Sequence, residues 1–176
     1  MPAALTIADF DPLAWVNEYT QPAMQIDQET FGPILHFSLM WNLFERDACE
    51  RNATPANIEK AVKSAFAAKR LTLAPFQEHL EYFRNRAQRN SMTISSYLDA
   101  LKMNHENSRH LVDGVLSGTL TDPNNAIYAL LLIAHRIRNN LFHGEKDVVT
   151  LHTQAHLFCA VNSLLATYLN ITKNVA

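Results

Sequence analysis

Glycine and cysteine are scarce in this chain, and long apolar runs are missing. Only four glycines occur among 176 residues, and no hairpin signal accompanies them, which favours an all-helical fold. Two cysteines, Cys49 and Cys159, are too few for a disulfide framework and are typical of a reducing cytoplasm. The longest apolar run, 126–134, is too short to span a bilayer, and the N-terminal residues lack the pattern of a secretion signal. We therefore expect an all-α, cytoplasmic protein without membrane partners.

Charge is nearly balanced in total but unevenly distributed. Fifteen basic residues face 17 acidic ones, for a net charge of −2, which argues against indiscriminate coating of nucleic acid. Residues 1–30 contain five acidic side chains and no lysine or arginine, whereas residues 60–90 contain seven basic and two acidic ones. A local nucleic-acid surface in the middle of the chain stays compatible with this distribution.

The order of apolar segments predicts an up-and-down helical bundle with extra short helices. Residues 1–29 lack sustained periodicity, so we expect an N-terminal arm that Phe10, Trp15 and Tyr19 hold on the core. Residues 30–176 form the helical domain, and its first helix should be buried on most sides. Cap residues and periodicity place the helices at about 30–51, 55–70, 72–89, 94–104, 107–116, 123–143 and 148–171.

The helix that follows Asp122 and Pro123 carries the strongest pattern, and it ends near Gly144. Its apolar stripe comprises Ile127, Leu130, Leu131, Ala134, Ile137 and Leu141. At about 100° per residue, Arg136 lies about 180° from Ile127, whereas Arg138 returns to within about 20° of it. We therefore expect Arg136 to point outward and Arg138 to point inward, where a guanidinium needs a partner or a cleft.

The same helix end brings a histidine close to an amide and a guanidinium. His143 follows Asn139 by four positions, so both share a face with Arg138 nearby if the last turn persists. A helix C-terminus also stabilises an imidazolium, and on spacing alone a capping histidine is the favoured interpretation.

Arg138, Asn139 and His143 resemble the Arg-polar-x-x-x-His motif of the HEPN superfamily, in which four to six residues separate arginine and histidine. The resemblance covers about residues 30–172 and implies a helical bundle with the motif between its last two long helices. It implies metal-independent cleavage of RNA, with the ribose 2′-OH attacking the adjacent phosphate. Histidine suits proton transfer and arginine suits stabilisation of the charge on phosphate.

One motif histidine supplies only one of the two proton-transfer groups that this reaction needs. Composite sites in the superfamily imply a homodimer, in which two motifs face each other across a two-fold axis. No metal or other cofactor is expected. Toxin, antiphage or stress-response roles are associated with such nucleases, together with a neutralising antitoxin or regulatory partner.

Several other residues are candidates for supporting roles. Asn42 and Glu45 on the first helix, with Asn140 beside the motif, are candidates for orienting His143 or Arg138, although ordinary helix polarity also explains them. Arg84, Arg86 and Arg89 lie beside aromatic residues and form a candidate RNA-binding patch. Cations at a solvated helix end are the simpler interpretation of that patch.

Two histidine pairs have spacings close to those of metal ligands. His105 and His110 are five apart, which does not fit the four-residue spacing of zinc proteases. His152 and His156 have suitable spacing but no obvious third ligand. Two alternatives to the ribonuclease remain open: a non-catalytic HEPN-like module for RNA binding, nucleotide binding or assembly, and an unrelated helical interaction protein with a capped helix end.

Overall fold

A computed structural model describes residues 10–20, 26–142 and 152–173. Within these ranges the protein is an all-α helical bundle without β-strands, which confirms the predicted fold class. Three short 3₁₀ helices, Ala74–Phe76, Arg89–Ser91 and His152–Gln154, supplement the α-helices. The α-helices are α1 (Pro12–Thr20), α2 (Gln28–Ala48), α3 (Pro55–Ala67), α4 (Gln77–Ala87), α5 (Ile94–Ala100), α6 (Glu106–Ser117), α7 (Pro123–Phe142) and α8 (Ala155–Thr172).

Two of the predicted helix starts, at Pro55 and Pro123, are confirmed by side-chain caps. Thr54 accepts a hydrogen bond from the Asn57 amide at 3.2 Å, and Asp122 accepts one from the Asn125 amide at 3.0 Å. Each cap is followed by a proline in the first helical position, where no backbone donor is lost. Both starts were predictable because a cap depends on residues that are close together in sequence.

Helix α7 forms the centre of the bundle, with α3 and α6 packed along it. The predicted apolar stripe is buried, apart from the half-buried Leu141. Its opposite side is buried too, since Ala126, Ala129, Leu132 and Ile133 are at most 2% exposed. The helix is therefore enclosed through most of its length, and its residues cannot be divided into one buried and one exposed face.

Helix α2 pairs with α8 and is less buried than predicted. Ile34, Phe37, Trp41 and Phe44 form its inner face. Leu35 is 48% exposed and Leu39 is 68% exposed on the outer face. The expectation that this helix is buried on most sides is therefore wrong, because among the described helices only α8 packs closely along it.

The N-terminal arm contains a short helix, but its aromatic residues do not anchor it. Phe10, Trp15 and Tyr19 are all exposed, and the last two stack on each other with ring centroids 4.9 Å apart. Asn17 instead joins two parts of the arm, since its side-chain amide donates to the Ile26 carbonyl at 2.8 Å and its Oδ1 atom accepts from the Ile26 backbone amide at 2.7 Å. The expectation that the three aromatic side chains hold the arm on the core is therefore wrong, and the buried side chain among the described arm residues of α1 is that of Asn17.

The connection between α6 and α7 requires a glycine at position 114. A Cβ atom on Gly114 would lie 2.7 Å from Leu120 Cδ1, so only glycine lets the chain fold back this closely. The Leu120 amide also donates to the Gly114 carbonyl at 2.8 Å. This turn brings α6 against α7.

The last helix begins later than predicted. Residues 152–154 form a 3₁₀ turn, and the α-helix starts at Ala155, whereas the sequence pattern placed its start at Val148. Val148 itself lies outside the described residues. No helix in the described ranges is both long and apolar enough to cross a membrane.

Candidate functional site

Arg138 and Asn139 lie side by side in the last turns of α7. The Arg138 Nη1 atom donates to Asn139 Oδ1 at 3.3 Å, and both side chains are half-buried. His143 and Gly144 lie outside the described residues, so the predicted contact between Asn139 and His143 stays a prediction. The structure therefore brings together Arg138 and Asn139, two of the three motif residues, and Asn139 precedes the third, His143, by four positions in sequence.

A second histidine, which the sequence analysis did not select, belongs to this cluster. His135 Nε2 lies 3.4 Å from Asn139 Nδ2, and its ring centroid lies 6.0 Å from that of Trp41 on α2. Since an amide nitrogen can only donate, His135 accepts through Nε2 and is neutral in this arrangement. The i,i+4 spacing of His135 and Asn139 was the available signal for this pair.

Burial is the main influence on the charge state of His135. It lowers the pKa of His135 to about 4, and the nearby positive charges of Arg136 and Arg138 act in the same direction. The Glu45 carboxylate opposes this shift. The imidazole at this position is therefore uncharged at neutral pH and suited to hold Asn139 by accepting a hydrogen bond.

We expect the lowered pKa of His135 to make the free energy of unfolding depend on pH. The unfolded chain protonates His135 near pH 6.5 and the folded chain near pH 4, so stability falls as the pH drops through this window, by about 3 kcal/mol at most. Urea unfolding at pH 7 and pH 4.5 measures the loss. His135→Gln keeps an acceptor for Asn139 and should make the loss smaller; an identical loss in both proteins would contradict the assignment.

Arg136 does not point outward as predicted. It is half-buried, and its Nε atom donates to the Leu101 carbonyl at 3.1 Å, while Nη2 lies 3.4 Å from Asn140 Oδ1. Asn140 is only 5% exposed, and its Nδ2 atom donates to the same Leu101 carbonyl at 3.2 Å. Arg136 and Asn140 therefore join α7 to the end of α5, because this side of α7 faces other helices and not solvent.

Of the two predicted supporting residues on α2, Glu45 lies near the motif helix and Asn42 is exposed. Glu45 lies close enough to His135 to influence its charge, and its carboxylate accepts from the Ala53 amide at 3.4 Å. Asn42 is exposed and forms no hydrogen bond with the described residues. Glu45 thus belongs to the surroundings of the motif helix, whereas no contact of Asn42 supports a role there.

The three arginines of the predicted RNA-binding patch separate into two groups. Arg84 donates from Nε and Nη2 to the Val115 carbonyl, at 3.2 and 2.9 Å, and so holds the end of α6. Arg86 and Arg89 line a cleft of about 510 Å³, which we call the basic cleft. Arg84 therefore has a structural contact, whereas no carboxylate among the described residues that line the cleft accompanies Arg86 or Arg89.

The basic cleft lies beside the last turn of α7. Its polar lining comes from four separate parts of the chain, and no aspartate or glutamate is among the described residues that line it. Three residues at or next to its rim have left-handed backbone: Asn90 (φ 56°), Ser91 (φ 61°) and Lys102 (φ 53°). Its polar lining includes Arg86, Arg89, Tyr97, Lys102, Asn140 and Gln154.

Neither cysteine nor histidine clusters indicate a metal site in the described ranges. Cys49 is buried and Cys159 is exposed, and both are free thiols. No group of three or more metal-ligating side chains occurs among the described residues. Comparisons with protein-family models, curated proteins and solved structures found no match to this chain.

Proposed function

We propose that this protein is a metal-independent endoribonuclease of the HEPN type, working as a homodimer. The observation that supports it is the pairing of Arg138 with Asn139 in the last turns of α7, four residues before His143. The neighbouring His135 accepts from Asn139 and so fixes the amide that contacts the guanidinium. The motif arginine is thereby held in a defined position at the helix end.

The proposed reaction uses the 2′-OH of the RNA as its nucleophile. A bond forms between the 2′-oxygen and the adjacent phosphorus, and the bond from phosphorus to the 5′-oxygen breaks. One histidine takes the proton of the 2′-OH, and a second delivers a proton to the departing 5′-oxygen. The Arg138 guanidinium stabilises the negative charge that grows on the phosphate oxygens.

Dimerisation supplies the second proton-transfer group in this scheme. His135 is a poor substitute, because it is largely buried and accepts from Asn139. A two-fold axis would place a second copy of His143 opposite the first, since identical surfaces meet at such an interface. Uncontrolled cleavage of RNA would suit a toxin, antiphage or stress effector, and a neutralising partner would then restrain it.

Cleavage of mixed-sequence RNA in EDTA tests the proposal. We expect cleavage without added metal, and we expect the specific activity to fall when the protein is diluted below the dimer dissociation constant. A sedimentation experiment over the same concentrations gives that constant independently. Cleavage only after addition of Mg²⁺ would rule out the metal-independent mechanism, and activity unchanged in a proven monomer would rule out the composite site.

A further inference from the structure

A small cavity lies between α7 and the segment that joins α5 to α6. Its volume is about 80 Å³, and we call it the inter-helix cavity. The segments around it, 101–109 and 130–140, are described without a gap. By liquid volume the space holds roughly three water molecules, so a ligand of about four or five bonded heavy atoms fills it.

All the polar side chains in the described lining of this cavity can donate hydrogen bonds, and none of them is an aspartate or a glutamate. Arg136 brings a guanidinium, whose Nε and Nη2 atoms are engaged with the Leu101 carbonyl and with Asn140. The side chains of His105 and Ser108 form no hydrogen bond with the described residues. A lining of this kind favours a ligand that presents oxygen acceptors and negative charge.

The His135 imidazole adds a further donor, because Asn139 fixes where the hydrogen of the ring lies. The His135 Nε2 atom accepts from Asn139 Nδ2 at 3.4 Å, so the neutral ring carries its hydrogen on Nδ1. This Nδ1–H group has no acceptor in the parts of the chain that the structure describes. Burial lowers the pKa of His135 to about 4, so the ring is neutral at pH 7. A ligand oxygen in the cavity that His135 lines would supply the missing acceptor.

From these donors we infer that the inter-helix cavity binds a phosphate group, whose oxygens accept from Arg136, His135 and His105. Met103 and Leu132 make part of the wall apolar, which keeps water away and strengthens the attraction between the phosphate and the guanidinium. A free phosphate ion fits the volume as a whole. The same contacts would hold the terminal phosphate of a larger molecule whose other atoms stay outside the cavity.

Calorimetric titration with sodium phosphate, in a buffer that contains no other phosphate, tests the inference. We expect saturable one-to-one binding. Titrations with AMP and adenosine distinguish the two sources of the phosphate group. Tighter binding of AMP than of the free ion would assign the site to a terminal phosphate, and weaker binding of AMP would assign it to the free ion. No binding of either phosphate compound would overturn the inference, and so would equal binding of AMP and adenosine.

Two asparagines at the start of α6 provide a matched pair of variants. Asn104 is exposed and lines the cavity, so Asn104→Asp adds a carboxylate there without a change of size. Repulsion should raise the dissociation constant of phosphate by about tenfold or more. Asn107 is also exposed but is not among the described residues that line the cavity, so Asn107→Asp should change the constant by no more than about threefold. Equal effects of the two substitutions would contradict the inference.

Nuclear magnetic resonance of the histidine rings tests the contact with His135 directly. Proton–nitrogen correlation spectra at pH 7 should show the hydrogen of His135 on Nδ1, and saturating phosphate should shift this signal. The signals of His156, which is exposed on α8, should not move. An Nδ1 signal that phosphate leaves unchanged would contradict the inference. His143→Ala should bind phosphate as the unaltered protein does, whether or not the protein cleaves RNA, which separates this inference from the ribonuclease proposal.

Discussion

Replacing His143 by alanine should lower the rate of RNA cleavage by about 10²–10⁴-fold, the usual contribution of a general acid or base. Arg138→Ala should lower the rate by about 10²–10³-fold, because the proposed mechanism assigns the Arg138 guanidinium to the charge that develops on the phosphate. Both losses should appear in single-turnover rates with saturating protein, where weaker binding of RNA has no effect.

The matched control for the histidine is His156→Ala. This histidine is exposed on α8 and no hydrogen bond joins it to another described residue, so its removal should leave the rate within about twofold. Circular dichroism spectra and sedimentation of all variants check that the helices and the dimer persist. Equal rates for His143→Ala and the unaltered protein would show that the motif histidine is not catalytic.

Phe37→Ala should destabilise the protein by about 3–5 kcal/mol, since a phenyl ring is lost from the closed core. Phe37 is fully buried, and its ring centroid lies 5.4 Å from that of Phe158 on α8 and 6.1 Å from that of Trp41. Urea unfolding monitored by circular dichroism measures the change. The contact between Phe37 and Phe158 joins α2 and α8, which pack together more extensively than any other pair of the described helices.

Leu39→Ala provides the comparison within the same helix. Leu39 is 68% exposed, so its removal should change the free energy of unfolding by no more than about 0.5 kcal/mol. A loss at Leu39 comparable to that at Phe37 would mean that another chain covers the outer face of α2. The same result would show that the inner face of α2 does not contribute more to stability than its outer face.

Much of the helix pattern could be predicted because its signals are local. Thr54 with Pro55 and Asp122 with Pro123 start their helices as expected, since the capping atoms lie three residues from their donors. The positions of short helices α5 and α6 also agree with the sequence periodicity to within a few residues. Such signals need no knowledge of how the helices pack.

The direction of Arg136 could not be predicted by the same reasoning. A helical wheel assumes one buried face, whereas α7 is surrounded and the Leu101 carbonyl lies on its supposed outer side. The partner of Arg136 is 35 residues away in sequence, so no spacing rule reveals it. Tertiary packing therefore determines the direction of the Arg136 side chain.

The residues that line the basic cleft could likewise be predicted only in part from the sequence. Arg86 and Arg89 were selected from the sequence as a basic patch, but Lys102, Asn140 and Gln154 come from distant segments. Lys102 and Asn140 meet because the Asn140 side chain donates to the carbonyl of Leu101, the neighbour of Lys102. His135 was missed although its i,i+4 spacing from Asn139 was a signal, because spacing alone does not show that the two side chains are in contact.

The chemistry of the RNA ends produced in EDTA tests the central proposal most directly. Mass spectrometry of fragments should show 2′,3′-cyclic phosphates and 5′-hydroxyls with the unaltered protein, and intact RNA with His143→Ala. A substrate with a 2′-deoxyribose at the cleaved position should resist cleavage, because it lacks the nucleophile. Fragments with 5′-phosphates, or cleavage at the deoxyribose position, would contradict the account.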